Sequence, residues 1–188
     1  MSDFVMSSRQ AAELDHAFER NGWTPQEVKL LSSGDLLANI RQVVLGRAFV
    51  TMVSHIIDCD ADPYVPDGWS VEEHQKGGIF EWNVSQVELY LAAGQKNGKE
   101  LEDGKLRKEL VGKPVLNANI LDYLFAHPYL IPEEWKGKTI FFWGTVYREP
   151  NGHLRVSCLY WGGEGWRRYN HVLGRDCNEN CPAALRAS

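Results

Sequence analysis

Two runs near the C-terminal end of the chain, Thr139–Arg148 and residues 153–161, restrict its fold more than any other feature. Both are rich in β-branched and aromatic residues, and Glu149-Pro150-Asn151-Gly152 stands between them. Asn-Gly between apolar runs supplies the positive φ that a tight antiparallel turn requires, so the pair reads as a β-hairpin. Whatever else the chain does, its C-terminal part must carry antiparallel sheet.

The first quarter is different. Ser8 is placed to cap a helix with Ala11, Leu14, Ala17 and Phe18 on one stripe, closed by Asn21-Gly22. Thr24-Pro25-Gln26-Glu27 has the pattern of a capping box with proline at the first helical position. Asp35 then opens a third helix, whose apolar side includes Leu36, Leu37, Ile40 and Val44. Their basic residues are sparse, so these helices read as a structural cap rather than a DNA-binding unit. Residues 49–57 form a β-branched, largely apolar run that predicts a buried strand. Short strands are expected at Ser70–His74 and residues 79–82, and helices at residues 105–110 and 116–126. The fold class is α+β: N-terminal helices followed by a mostly antiparallel sheet with a C-terminal hairpin. Residues 1–48 are expected as a helical segment and residues 49–188 as an α+β domain.

A chain of 188 residues buries roughly 70% of its unfolded surface and needs no covalent staple. The net charge of −5 argues against general affinity for nucleic acid, which wants a basic face. No apolar run reaches membrane-spanning length. The first residues lack the charged-then-apolar pattern of a secretory signal, so the default compartment is the cytoplasm. There the four cysteines, Cys59, Cys158, Cys177 and Cys181, are expected as thiols. Beyond Lys138 the cationic side chains other than histidine are six arginines, suited to planar and stacking contacts that lysine cannot make.

After the hairpin, residues 162–181 show no period. Their few apolar side chains sit among Gly, Arg, Asn, His, Asp and Cys. Such a stretch, held between apolar anchors, reads as loops displayed by a scaffold. Two rival chemistries remain open. Asp58, Asp60 and Asp62 follow a predicted strand and could hold Mg²⁺ or Ca²⁺ for a metal-dependent hydrolase, with His55 or His74 assisting. Cys158, His171, Cys177 and Cys181 could form a Cys₃His zinc site stabilising an interaction module. Phosphate-binding loops, nucleophile elbows and paired-histidine metal helices are absent from the sequence, and nothing in it calls for a cofactor.

The block EEWKGKTIFFWGTVYREPNGHLRVSCLYWGGEGW, followed by VLGRD and PAALRAS, resembles the C-terminal region of variable target proteins of bacterial diversity-generating retroelements, of the candidate-phylum type. HIIDCDADPYVPDGWSVEEHQKGGIFEW and KLRKELVGKPVLNANILDYLFAHPYLIPEEW resemble the fixed part of the same group. In such systems a reverse transcriptase copies a template with errors at adenines, and the changed codons fall in one segment near the C-terminus. From Arg167 to Cys181 every residue except Glu179 can be reached from an asparagine codon by adenine changes. The resemblance implies a non-enzymatic recognition protein with a diversifiable surface, and many members resemble C-type lectins. The expected contact residues are Trp166, Arg167, Arg168, Tyr169, Asn170, His171, Arg175, Asp176, Asn178 and Asn180, a mix of rigid aromatics and adaptable polar groups suited to a paratope. The expected ligand is a protein or glycan.

Overall fold

The structure is a computed structural model that describes residues 5–51 and 53–187. It divides into two compact units, with the division between Val53 and Ser54. The first unit holds α1 (Ser8–Arg20), α2 (Pro25–Leu31) and α3 (Leu36–Val44). Both capping boxes form. At α2, Thr24 Oγ1 accepts from Glu27 N at 3.3 Å and Glu27 Oε2 accepts from Thr24 N at 2.7 Å. At α1 the cap is Ser7, one residue before the predicted Ser8, because Gln10 lies three residues after it and returns the bond. Asp35 precedes α3 without a side-chain capping bond. None of the three helices contains a buried residue.

The predicted strand at residues 49–57 is mostly not one. Only its end is paired, as β1 (Ile56–Asp58), while Phe49, Val50 and Val53 are 85%, 80% and 73% exposed. Met52 lies outside the described residues. β-propensity describes side chains that fit a packed pleat, and without a neighbouring strand it has nothing to act on. Ile56–Asp58 has that neighbour in β3 (Ile79–Glu81).

The second unit is α+β. Besides β1 and β3 it contains β2 (Ser70–His74), β4 (Val87–Tyr90), β5 (Leu101–Glu102), α4 (Asp103–Glu109), α5 (Ala118–Ala126), β6 (Thr139–Arg148), β7 (Leu154–Trp161), β8 (Trp166–Val172), β9 (Asp176–Cys177) and β10 (Ala183–Arg186). The main sheet runs β4-β10-β6-β7-β8, with β2 also pairing β6. Its β6–β7 hairpin is the one read from the sequence, closed by Glu149 N donating to His153 O at 2.9 Å. Side chains alternate across this sheet and feed two cores. One core gathers Ile140, Phe142, Leu159 and Ala184 under Ile120, Leu121 and Leu124 of α5. The other gathers Phe141, Trp143, Val156 and Cys158 with Leu106 and Leu110 of α4.

Within residues 162–181, expected as loops, the structure contains a seven-residue strand. β8 pairs antiparallel with β7 over its whole length, Trp161↔Trp166 to Arg155↔Val172. Polar side chains occupy both of its faces, so no apolar alternation marked it. β9 forms a two-residue ladder with β5. Among the described residues no helix is long and apolar enough to cross a membrane.

Candidate recognition surface

β8 stands at the outer edge of the sheet, so it is anchored along one edge only. Its register with β7 decides which side chains point where. Arg168 lies beside Leu159 and Asn170 beside Ser157. On that face Arg168 pairs with Asp122 of α5, and Ser157 Oγ donates to Asn170 Oδ1 at 2.7 Å. Burial pushes the Asp122 carboxyl above its usual range despite the opposing pull of Arg168. Arg155 Nη1 donates to Asn170 O at 2.9 Å, and its guanidinium pairs with Glu149 at 2.9 Å. Trp166 meets Trp161 edge-on at 5.6 Å and packs against the α5-side core. Tyr64, Trp69, Arg155, Arg168 and Asn170 line an open trough of about 600 Å³ along this face.

The opposite face carries Arg167, Tyr169 and His171. Arg167 is exposed and Tyr169 is 49% exposed. Phe141, Cys158, Tyr160, Tyr169, His171 and Cys181 line a second trough of about 350 Å³. Beyond β8, Arg175, Asp176 and Asn180 are exposed, and Asn178 Oδ1 accepts from Asn180 N at 2.9 Å. This turn is held from beneath by the buried Gln95, whose Nε2 donates to Asn178 O at 3.1 Å and to Cys181 O at 3.0 Å.

Of the ten expected contact residues, Arg167, Tyr169, Arg175, Asp176 and Asn180 are thus exposed. Trp166, Arg168, Asn170 and His171 are half-buried and spend polar or aromatic groups on the scaffold, and half-buried Asn178 accepts from Asn180 N within the turn itself. Sequence reasoning missed Gln95, Asp103 and Asp122, the side chains that hold this segment from the rest of the chain. Asp103 had one available signal, a carboxylate at the start of a predicted helix, but that is also what an ordinary first helical turn looks like.

Asp103 is fully buried. Its Oδ2 accepts from His171 Nε2 at 3.1 Å and Arg175 N at 3.2 Å, and its Oδ1 accepts from Cys177 Sγ at 2.8 Å. Burial acts to raise this carboxyl, yet the bonds from His171, Cys177 and Arg175 hold it below the ordinary range. The neighbouring Cys181 thiol, burial and Asp103 together push the Cys177 thiol up. The neighbouring Cys177 in turn draws half-buried Cys181 down to about 7 against its desolvation. Cys158 stands apart: it donates to Tyr169 O at 3.4 Å, and burial pushes its thiol up to about 12.

The acidic loop is built differently. Asp58 Oδ1 accepts from Asp60 N at 2.9 Å and Ala61 N at 3.2 Å, and Asp60 Oδ1 accepts from Gly78 N at 2.8 Å. These carboxylates shape turns. His55 Nδ1 meets Tyr123 Oη at 3.0 Å. His74 is engaged at both nitrogens. Nδ1 lies 2.9 Å from Thr145 Oγ1, which also accepts from Ala118 N at 3.0 Å, and Nε2 donates to Cys59 O at 3.1 Å, so His74 bridges β6 to the loop after β1. Among the described residues, the one group of three metal-ligating side chains brought together is Asp103, His171 and Cys177.

No protein-family model, no curated protein and no solved structure matches this chain.

Proposed function

We propose that the chain is a non-enzymatic recognition protein whose display surface is β8 and the turns that follow it, diversified in the manner of retroelement target proteins. One observation carries this reading. From residue 162 to residue 181 Cys177 is the one buried residue, whereas residues 140–147, 156–159 and 182–185 on the flanking strands are all buried. A packed frame therefore brackets a stretch whose side chains mostly face solvent or partly face it. Substitution there removes little core packing, which is the condition a replaceable surface must meet. In this reading the α+β frame serves as C-type-lectin scaffolds do in that family, and the ligand is a protein or glycan gripped by Tyr169 and the surrounding arginines and asparagines. Exposed aromatic and arginine side chains with a trough beside them suit such contacts.

The DNA around the gene provides the test. A nearby near-copy of the segment encoding residues 162–181, differing from it at template adenines and adjoined by a reverse transcriptase, is the expected finding. Differences spread evenly over all four template bases would remove the proposal.

A further inference from the structure

We propose that Asp103, His171, Cys177 and Cys181 form a tetrahedral zinc site that ties the segment after β8 to the scaffold. One ligand atom each from Asp103, His171 and Cys177 already lies within 4.8 Å of the others. The group joins places far apart in the chain: the start of α4, the end of β8, β9, and the turn before β10. Cys181 follows Cys177 at Cys-x₃-Cys spacing, within the range that zinc modules use. Its Sγ stands outside the group within 4.8 Å and donates to Asn178 Oδ1 at 3.8 Å, so this half-buried side chain must turn inward to take the fourth position. Two sulfurs, an imidazole nitrogen and a carboxylate oxygen make a donor set that favours zinc over calcium or magnesium.

The present contacts are proton-mediated. Asp103 Oδ1 lies 2.8 Å from Cys177 Sγ, and Oδ2 lies 3.1 Å from His171 Nε2. Around a tetrahedral ion with bonds of roughly 2.0 Å to oxygen and nitrogen and 2.3 Å to sulfur, ligand atoms stand about 3.3–3.8 Å apart. One Asp103 oxygen takes the ion, the short Asp103–Cys177 contact opens while the wider separations close, and the ion replaces protons. Zinc displaces the two thiol protons, which leave to solvent, and takes His171 through Nε2 with its proton on Nδ1. Cys158, proposed from sequence as a ligand, is excluded because its thiol points to the Tyr169 carbonyl. The site stands independently of ligand recognition. If it forms, His171 and Cys177 serve structure within the displayed stretch and are withdrawn from contact with any partner.

The test uses the full chain, stripped with a chelator under a phosphine reductant and titrated with Co²⁺. One equivalent should produce a thiolate-to-cobalt charge-transfer band and the strong visible bands of tetrahedral cobalt, both abolished by competing Zn²⁺. Cys177→Ser and Cys181→Ser should each weaken binding by about tenfold or more, and Cys158→Ser should leave it unchanged. Should Cys177→Ser fail to fold, Cys181→Ser at its half-exposed position decides. A folded wild-type chain without these bands leaves the four residues a hydrogen-bonded knot and overturns the proposal. Undiminished affinity in Cys181→Ser, or equal loss in Cys158→Ser, overturns it too. These outcomes do not bear on the template comparison, so the two proposals fail separately.

Discussion

At Arg168 the chain holds a guanidinium largely out of water, and Asp122 on α5 answers it. Half-buried charges of this kind cost more when orphaned than they contribute when paired. Asp122→Ala should therefore destabilise the protein by about 2 kcal/mol, read from urea unfolding. Replacing Arg168 and Asp122 together should recover part of that loss, and strict additivity of the two single changes would mean the pair is not coupled. Gly144 poses a steric problem instead. It sits within β6, where an added Cβ would come 2.9 Å from the Asn117 backbone. Leu116 O accepts from Gly144 N at 2.9 Å, and Asn117 Nδ2 donates to Cys59 O at 2.8 Å, so neither chain segment can retreat without breaking a bond. Gly144→Ala should cost about 1–3 kcal/mol, and a melting temperature equal to wild type would show that the approach relaxes freely.

At the scale of elements, β8 and β7 should respond oppositely to change. Arg167→Ala and Tyr169→Ala remove exposed side chains from an edge strand, and each is expected to shift stability by no more than about 0.5 kcal/mol. Leu159→Ala, one strand inward and fully buried, should cost about 2–5 kcal/mol. Comparable losses at Tyr169 and Leu159 would contradict a frame-and-surface division. The same contrast explains what was legible in the sequence. β6 and β7 announce themselves because their buried residues form long apolar runs around an Asn-Gly turn. The α2 capping box is equally plain, since both partners are three residues apart. β8 is hidden because an edge strand with Arg168 and Asn170 on one face and Arg167 and Tyr169 on the other has no apolar period to read. Charged side chains on such an edge also discourage pairing with another chain. Asp103, Gln95 and Asp122 could not be read because their partners lie more than forty residues away. The unpaired part of residues 49–57 shows the reverse error, a local preference with no strand beside it.

At the scale of the molecule, both cores are assembled from residues 57–185. Hydrophobic burial supplies most of the favourable free energy of folding, so the information for a cooperative fold lies after Val53. A chain starting at Ser54 is expected to unfold in one sharp transition. Near-ultraviolet circular dichroism can follow it, because six of the seven tryptophans lie in that part. Residues 5–53 present the opposite case. Their helices have 13, 7 and 9 residues and no buried side chain, lengths at which isolated helices are marginal in water. As a separate peptide they should show far-ultraviolet helicity well below the content of the structure, rising gradually with trifluoroethanol rather than in a cooperative step. A broad, non-cooperative melt of the chain beginning at Ser54 would mean that the two cores do not suffice. The three helices would then be part of what makes the sheet, and with it the displayed strand, hold its shape.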